Sequence, residues 1–242
     1  MIFRETAVTR IDDFDAKGYM LPSALLKVLE NAADHHSASV TDESVEGSMH
    51  GVAWILAEWR VEIIRTPRYN DIINIETWIS DGSAAAHSNR EFLLSDEHGG
   101  VLVKAAAKLT LFDLKANRII KTDHAVLERY RPEGRAVFSE KAHRLLPAES
   151  FEHEVQFPLR RSDMDYNGHV HNTAYLDFAL DVLPKEAARS AEISGIRIAY
   201  KHPLRLGDRA KIRFCGKNGV WNICFFTDEA LCAIVELTEN IH

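Results

Sequence analysis

The sequence predicts an α+β protein made of two similar halves, each with one helix and one antiparallel sheet. The first observation is an internal repeat, because the segment at Asp13 recurs at Asp163, an offset of 150 residues. Four identities align at this offset, namely Asp13/Asp163, Asp15/Asp165, Gly18/Gly168 and Ala24/Ala174. The second observation is that a helical pattern and then several strand patterns follow each copy. A chain of 242 residues is long enough for two such domains.

The two helical patterns place apolar residues at i, i+3, i+4, i+7 and i+8, which is one face of an α-helix. The apolar residues are Leu21, Ala24, Leu25, Val28, Leu29, Ala32 and Ala33 in the first, and Tyr175, Phe178, Ala179, Val182 and Leu183 in the second. Pro22 fits the first turn of the first helix, and His35 and His36 near its end are interpreted as C-terminal cations or surface residues. Asn172 is the predicted N-cap of the second helix, and Pro184 limits its far end.

The strand patterns alternate apolar and polar residues with a period of two. They cover residues 55–63, 72–79, 86–94 and 101–114 in the first half, with a turn signal at 81–83. In the second half they cover residues 195–201, 209–214, 220–227 and 231–238. Turn residues separate the patterns, which indicates antiparallel meanders. Because periodicity fades between the halves, we predict an N-terminal domain at 1–122, a linker at 123–150 and a C-terminal domain at 151–242.

Composition argues against several classes of function. The formal charge of −7, from 29 basic and 36 acidic residues, disfavours a nucleic-acid partner. No apolar run approaches the roughly 20 residues that a membrane span needs, and the start of the chain has no signal-peptide pattern. We therefore expect a cytoplasmic protein. Cys215, Cys224 and Cys232 lack metal-ligand spacing and form no disulfide framework, so they are expected to pack as small core residues.

One short segment concentrates polar chemistry directly ahead of the second helix. Asp165, Asn167 and His169 place a carboxylate, a carboxamide and an imidazole at alternate positions. Backbone N–H groups near the start of the following helix lack intrahelical partners and are suited to hold a negative charge. The first half has Lys17 and Tyr19 where Asn167 and His169 stand, so the complete set occurs once. We expect one active site per chain.

Each residue of this set also has a structural interpretation. Asp165 resembles a turn former or helix cap, the role expected of its repeat partner Asp15. Asn167 precedes a glycine, as in many ordinary turns, and a lone histidine is often a satisfied, partly buried residue. The pair His169 and His171 lacks a third ligand at metal spacing, so no metal is expected, and the predicted chemistry needs no cofactor.

Residues 160–175, R-R-S-D-M-D-Y-N-G-H-V-H-N-T-A-Y, resemble the acyl-acyl-carrier-protein thioesterases of plants and bacteria. The second domain of that family carries a segment close to R-x-S/T-D-x-D-x-N-x-H-V-N-N-x-x-Y, and here His171 replaces the first Asn of the N-N pair. Residues 53–56, 65–71, 76–78 and 90–92 are also similar to recurring phrases of the family. The resemblance implies a tandem (double) hotdog fold, in which two antiparallel sheets are each wrapped around a long helix.

The resemblance also implies an enzyme, a thioesterase that hydrolyses fatty acyl-acyl-carrier-protein to free fatty acid and holo-carrier protein in fatty acid biosynthesis. Its partner is then an acyl-carrier protein with a phosphopantetheine-linked acyl chain, and the catalytic roles fall on Asp165, Asn167 and His169. Thioester hydrolysis needs an aimed water, a group that takes its proton, and donors at the developing oxyanion. Asp165 can orient or deprotonate water, Asn167 can donate to the carbonyl oxygen, and His169 can act as base or hydrogen-bond partner.

Two alternatives stay open. The shorter motif D-x-D-x-x-G-H-V is shared by many hotdog thioesterases, which allows an acyl-CoA thioesterase. A non-hydrolytic acyl-binding protein with the same fold is the alternative from a different class. Basic residues concentrate around the linker and the second half, where they suit a phosphopantetheine or an acidic carrier protein; they include Arg160, Arg161, Lys201 and Arg205.

One further departure from the family pattern affects the expected chemistry. The family has a Y-x-x-E phrase on the strand after the second helix, with a Glu proposed to activate water, and here Pro203 stands in its place. Asp177 and Asp181 on the second helix are alternative carboxylates, although two acids four residues apart more often form a solvated stripe. The sequence leaves open the general base, the acyl chain length, and whether the protein is a monomer or a homodimer.

Overall fold

The structure is a computed structural model that describes residues 1–40, 51–81, 87–121, 124–187, 189, 192–228 and 230–240. Most of the turn predicted at 81–83 and the domain boundary predicted between residues 122 and 123 lie outside the described residues. The described part contains eleven strands in one sheet, three α-helices and two short 3-10 helices. In this part of the chain, no helix is both long enough and apolar enough to cross a membrane.

The elements of the first half begin with an edge strand and one long helix. The strands are β1 (Phe3–Thr6), β2 (Val52–Ile63), β3 (Asn74–Ile79), β4 (Ser88–Ser95), β5 (Val101–Asp113) and β6 (Arg118–Ile119), and the helices are α1 (Pro22–Ser39) and α2 (His124–Arg129). A 3-10 helix at Ile11–Asp13 precedes α1. The predicted strands are confirmed with ends shifted by a few residues, while β1, β6 and α2 were not predicted.

The elements of the second half follow in the same order. The strands are β7 (His153–Phe157), β8 (Ile193–Tyr200), β9 (Ala210–Lys217), β10 (Val220–Phe226) and β11 (Leu231–Glu239), and the helix is α3 (Ala174–Val182). A 3-10 helix at Arg161–Asp163 precedes α3, as its counterpart precedes α1. The four predicted strands are confirmed here too, and β7 is an additional edge strand that the sequence did not reveal.

The sheet has a palindromic strand order that reveals an internal twofold relation. The order is β1-β3-β4-β5-β2 in the first half and β8-β11-β10-β9-β7 in the second, with neighbouring strands antiparallel, and β6 pairs with β5 off this path. The halves meet where β2 pairs with β8, and at the centre of that ladder Arg60 lies opposite Arg197. The sequence predicted two sheets, whereas the structure joins them into one. This pairing satisfies the backbone groups of two strands that would otherwise be exposed sheet edges.

The two helices differ in length and in how they begin. α1 has 18 residues and α3 only nine, so among the described residues the first half alone has a long helix. The prediction of Asn172 as the N-cap was wrong, because Thr173 directly precedes the helix and makes no side-chain capping bond. The carbonyl of Asn172 instead accepts a hydrogen bond from the Tyr200 hydroxyl at 2.9 Å. This tertiary contact holds the residue before Thr173, but it satisfies a carbonyl oxygen and not the N–H groups that a side-chain cap would bond.

One apolar core runs beneath both halves. It contains Leu26 and Leu29 of α1 together with Leu176 and Ala179 of α3, and none of these residues has any exposed surface. Each buried leucine contributes about 2 kcal/mol through the hydrophobic effect. Because α1 and α3 contribute to the same core, the two halves are packed against each other as well as paired through the sheet.

The segment between the halves contacts the sheet at its centre. The guanidinium of Arg60 donates to the carbonyl of Glu140 at 2.7 Å and lies 3.8 Å from the centroid of the Phe138 ring. Arg197 lies 2.9 Å from the imidazole Nε2 of His143 through its Nη1 and also bonds the carbonyl of that residue. Two cations placed opposite each other in adjacent strands repel. Contacts from the connecting segment supply acceptors for both of them.

A cluster of buried polar side chains lies at the C-terminal end of α1. His36 has no exposed surface, and its Nδ1 accepts a hydrogen bond from Nη1 of the buried Arg90 at 3.0 Å. Arg90 also donates to the hydroxyl of Ser37 at 3.1 Å, and the Tyr130 hydroxyl donates to the same oxygen at 2.8 Å. Burial, Arg90 and the N-terminal ammonium lower the pKa of His36 to about 3. The interpretation of His36 as a surface cation was therefore wrong, because burial beside an arginine keeps the ring neutral.

Candidate active site

The three predicted site residues lie on one tight loop, residues 163–171, which we call the motif loop. Oδ1 of Asp165 accepts the backbone N–H groups of Asn167 at 2.8 Å and His169 at 3.0 Å. The N–H of Asp165 donates to the carbonyl of His169 at 2.7 Å, and that of Gly168 donates to the carbonyl of Asp165 at 3.1 Å. Gly168 has φ of +75°, a left-handed conformation that glycine adopts without strain. The carboxylate of Asp165 therefore determines the shape of this loop.

The first half contains the same structure in residues 13–21, which we call the counterpart loop. Oδ1 of Asp15 accepts the N–H groups of Lys17 at 2.9 Å and Tyr19 at 3.0 Å, and Gly18 has φ of +76°. The repeat inferred from the sequence is thus a repeat of backbone hydrogen bonds. Since Asp15 makes these bonds beside Lys17 and Tyr19, loop formation alone accounts for an aspartate at this position. Any chemistry of Asp165 is additional to its role as a turn former.

The two other site residues point to different environments. Asn167 is exposed, and His169 is half-buried. Nε2 of His169 lies 3.1 Å from Nη2 of Arg205. Because a guanidinium only donates, Nε2 must be the acceptor, and the neutral ring then carries its proton on Nδ1. The backbone of Arg205 is held in turn by a 2.8 Å bond from its N–H to Oδ2 of Asp208.

The turn held by the bond between Arg205 and Asp208, which we call the arginine turn, has a counterpart in the first half. The sequence did not reveal this second repeated feature. In the first half, the N–H of Arg68 donates to Oδ2 of Asp71 at 2.9 Å, and its guanidinium lies 4.9 Å from the centroid of the Tyr19 ring. Arg68 and Arg205 are 137 residues apart, whereas the loops are 150 apart, so no single offset aligns both features. The only sequence signal was an Arg followed three residues later by an Asp in each half.

The motif loop is hydrogen-bonded to the turn that follows β8. The N–H of Val170 donates to the carbonyl of Leu204 at 2.8 Å, and the hydroxyl of the buried Tyr175 accepts the N–H of Leu204 at 3.0 Å. Burial raises the pKa of Tyr175, and the nearby carboxylates of Asp208 and Asp165 add to this rise. Tyr175 therefore stays protonated at neutral pH. It links the first turn of α3 to residues next to the motif loop.

Pro203 and the two alternative carboxylates, Asp177 and Asp181, lie in different surroundings. Pro203 is exposed in the turn before Leu204 and offers no group that takes a proton. Asp181 is exposed, in agreement with a solvated stripe. Asp177 is half-buried instead, and burial raises its pKa against opposing effects from the Ser23 hydroxyl and Lys27 of α1. Asp177 therefore forms part of the contact between α1 and α3.

Exposed basic residues lie in sequence on both sides of the motif loop. Arg160 and Arg161 precede it, and Lys201 and Arg205 belong to the turn that is hydrogen-bonded to it. All four are exposed. Such a cluster is suited to bind a phosphate group or an acidic protein surface.

A cavity of about 390 Å³ lies beside the counterpart loop. Its lining includes Tyr19 and Arg68, which correspond to His169 and Arg205, and the end of β2. Ile193 and Asn240 of the second half complete one wall. The space next to the repeated loop is therefore shared between the halves, although here it lacks the carboxamide and imidazole of the motif loop.

Two family models together match most of the chain. Residues 1–130 match the family model described as Acyl-ACP thioesterase N-terminal domain, and residues 147–224 match Acyl-ACP thioesterase C-terminal domain. The chain is 25% identical over 225 residues to oleoyl-acyl carrier protein thioesterase 1, chloroplastic, of Arabidopsis thaliana, covering 85% of this chain and 61% of that protein. It is 23% identical over 233 residues to palmitoyl-acyl carrier protein thioesterase, chloroplastic, of Gossypium hirsutum, covering 91% and 54%. The chain thus spans less than two thirds of the length of these relatives.

Solved structures show the same fold. The crystal structure of an acyl-ACP thioesterase from Bacteroides thetaiotaomicron superposes with a TM-score of 0.86 at 16% identity, covering 99% of this chain and 98% of that one. The 12:0-ACP thioesterase from Umbellularia californica gives a TM-score of 0.84 at 18% identity, covering 99% and 97%. At such low identities the likeness concerns the fold alone.

Proposed function

Because this chain belongs to the acyl-ACP thioesterase family, we propose that it hydrolyses fatty acyl-acyl-carrier-protein to free fatty acid and holo-carrier protein. The observation that carries the proposal is a difference between the two loops. The motif loop makes the same backbone hydrogen bonds to its aspartate as the counterpart loop, but only the motif loop contains Asn167 and His169. A purely structural loop needs only the aspartate and the glycine. The loop does not need the carboxamide or the imidazole for its shape, which supports a chemical role for both.

The proposed mechanism uses the motif loop to bind and polarise the thioester. Asn167 is exposed and able to donate its amide N–H to the thioester carbonyl oxygen, where negative charge develops as water attacks. His169 is held by Arg205 and contributes the N–H of its Nδ1 as a second donor or proton carrier. Asp165 fixes the positions of both residues through its bonds to their N–H groups. All three remain part of the proposed site, with Asp165 acting mainly through the loop.

The proposed fold is a tandem hotdog, with an N-terminal hotdog domain at 1–122, a linker at 123–150 and a C-terminal hotdog domain at 151–242. The shared strand order of the halves and the contacts of α1 with β3 and of α3 with β11 support it. We place the protein in the cytoplasm, as monomer or homodimer. Its three cysteines are free, which fits a reducing compartment.

Acyl-carrier protein is the proposed partner because the basic residues beside the motif loop suit its acidic surface and the phosphate of its phosphopantetheine. Acyl-CoA also carries phosphates, and a hydrolase for acyl-CoA is therefore the second candidate. An acyl-binding protein without turnover is the third. The retained Asn167 and His169 favour hydrolysis over binding alone.

The test is the release of free fatty acid by the purified protein from matched panels of acyl-carrier-protein and acyl-CoA, with medium to long saturated chains. We expect turnover with a kcat/KM at least about tenfold higher for the carrier-protein substrates, because a charged protein surface accelerates encounter. The preference is expected to shrink as salt is raised, since exposed charges are screened. A preference for acyl-CoA would assign the second candidate. Bound fatty acid without turnover of any thioester would assign the third.

A further inference from the structure

The two halves carry different residues at three equivalent surface positions, and the first lies ahead of the repeated loops. The 3-10 helices before the counterpart loop and the motif loop begin with Ile11 and Arg161, at the repeat offset of 150. In each half, the N–H of the arginine before the helix donates to Oδ2 of the aspartate that ends the helix, at 2.7 Å and 2.6 Å. Ile11 and Arg161 therefore occupy the same place in the fold.

The second position lies four residues before the arginine of the arginine turn and of its counterpart, where Ile64 and Lys201 correspond. The N–H of Ile64 donates to the carbonyl of Leu102 at 2.9 Å, and the N–H of Lys201 donates to the carbonyl of Cys232 at 2.8 Å. In both halves, the next residue donates to the same carbonyl at 3.1 Å. The backbone at this position is therefore the same in the two halves.

The third position lies four residues after the same arginine, where Ile72 and Arg209 correspond. Each follows the aspartate that accepts the N–H of that arginine, at 2.9 Å in the first half and 2.8 Å in the second. Each is followed by a buried residue, Ile73 or Ala210. At all three positions, an isoleucine of the first half corresponds to a cation of the second.

The fold does not require a cation at any of these positions. All six side chains are exposed. The exposed fractions of Ile11, Ile64 and Ile72 are 79%, 51% and 49%. Because an uncharged side chain occupies each position in the first half while the backbone bonds stay the same, the cations of the second half are not explained by structure alone.

The charge around the motif loop is also not used within the chain. Residues 160–171 and 201–209 contain five Lys and Arg and three Asp, whereas the corresponding residues 10–21 and 64–72 contain four of each. In the described part of the chain, Arg161, Lys201 and Arg209 form no ion pair. The charge of Arg209 also acts on Asp228, but that carboxylate is paired with Lys211 at 2.8 Å. These three cations are therefore available to a partner.

We propose that Arg161, Lys201 and Arg209 form a docking surface for an acidic protein, which is the carrier protein of the proposed function. The inference rests on that proposed function. Carboxylates of the partner gain three unpaired cations beside the motif loop, whereas beside the counterpart loop the same carboxylates would face apolar side chains. The partner is thereby directed to the loop that contains Asn167 and His169.

The placement of the cations favours a protein surface over a single phosphate group. Arg161 begins a 3-10 helix, Lys201 follows β8 and Arg209 precedes β9, so the charges stand at three separate places in the fold. Charges distributed in this way match several carboxylates of a partner surface. Arg160 and Arg205 are not part of the docking surface, because the first half has arginines at the equivalent positions.

The test variant is Arg161→Gln/Lys201→Gln/Arg209→Gln, assayed with acyl-carrier-protein, acyl-CoA and acyl-pantetheine of the same chain length. Its kcat/KM is expected to fall at least about tenfold for acyl-carrier-protein and less than about threefold for the two smaller thioesters, because exposed charges act on encounter with the partner surface. The kcat at saturating carrier-protein substrate is expected to stay within about twofold. The kcat/KM that remains for the carrier-protein substrate should depend less on salt than that of wild type.

The matched control adds three cations beside the other loop, in Ile11→Lys/Ile64→Lys/Ile72→Lys. Alone, this variant is expected to keep kcat/KM for all three thioesters within about twofold, because its substitutions are exposed and lie in the half without the motif. Combined with the three Gln substitutions, it restores the formal charge of −7 and is expected to leave the loss uncorrected. Recovery in the combined variant would show that net charge matters and not the docking surface.

The three substrates separate the proposed docking surface from other roles. An equal loss with acyl-CoA would assign the cations to phosphate binding, and an equal loss with acyl-pantetheine would assign them to the reaction site. Either result would overturn the docking surface, as would an unchanged kcat/KM for acyl-carrier-protein. Melting temperatures close to that of wild type are expected for the variants, since all substituted positions are exposed.

Binding of fluorescently labelled holo-acyl-carrier protein separates this inference from the proposed function. The Kd of the Gln variant is expected to be at least about tenfold higher than that of wild type. If wild type hydrolyses no thioester, the proposed function fails, and the difference in Kd still decides whether the docking surface exists. An equal Kd would overturn the docking surface even where wild type is fully active.

Discussion

Asp165→Ala is expected to lower kcat/KM at least about 100-fold, whereas Asp15→Ala, the same change in the first half, leaves it within about threefold. Both aspartates accept the same two backbone hydrogen bonds at nearly the same distances. Each substitution removes these bonds and should therefore destabilise its loop by a similar amount, about 1–2 kcal/mol. Only the motif loop places Asn167 and His169, so only its distortion should impair catalysis.

The measurement combines steady-state hydrolysis of an acyl-carrier-protein substrate with urea denaturation of wild type and both variants. We expect both substitutions to lower the unfolding free energy by similar amounts, and only Asp165→Ala to lower kcat/KM strongly. Equal losses of activity would mean that the counterpart loop takes part in the reaction, in conflict with one site per chain. A fully active Asp165→Ala would remove the motif loop from the mechanism.

The second large effect concerns stability in acid. Wild type is expected to lose about 2–3 kcal/mol of unfolding free energy relative to His36→Gln as pH falls from neutral to about 4. The folded pKa of His36, about 3, lies below the ordinary value of 6.5, so its contribution is present above 6.5 and is lost as pH falls towards 3. A proton on Nδ1 would face the Arg90 guanidinium, and the buried Nε2 has no partner among the described residues. Gln retains an acceptor for Arg90 but cannot take the proton.

Urea denaturation across this pH range measures the difference in unfolding free energy between wild type and each variant. Because the other titrating groups are the same in both proteins, their contributions cancel in this difference. His35→Gln is the matched control, because His35 is the exposed neighbour paired with Glu5 at 2.7 Å. Its difference from wild type should change by less than about 1 kcal/mol over the same range. A flat difference for His36→Gln would show that acid does not act through this buried ring.

Much of the fold was predictable because its signals are local. Alternation along a strand and the spacing of apolar residues along α1 depend only on neighbouring residues, and the predicted strands lie within a few residues of those observed. The short edge strands β1 and β7 gave no such signal, since each has only a few residues and one neighbour. The pairing of β2 with β8 could not be predicted from the sequence either. An edge strand and a strand that joins two sheets show the same alternation of apolar and polar residues.

The candidate site was predictable only where its residues are continuous in the chain. Asp165, Asn167 and His169 stand close together in the sequence, and the structure holds them on one loop. Arg205 reaches the motif loop from a distant segment. Its position depends on the turn that Asp208 holds, and the only sequence signal of that turn is an Asp three residues after the Arg.

The most direct test of the account is a crystal structure of the protein with an acyl-pantetheine analogue whose thioester sulfur is replaced by a methylene group, so that the carbonyl is kept but not hydrolysed. We expect the carbonyl oxygen beside Asn167 of the motif loop and the pantetheine arm running past the exposed basic residues. Binding in the cavity beside Tyr19 and Arg68 would contradict the account. It would move the functional site to the half that lacks the motif.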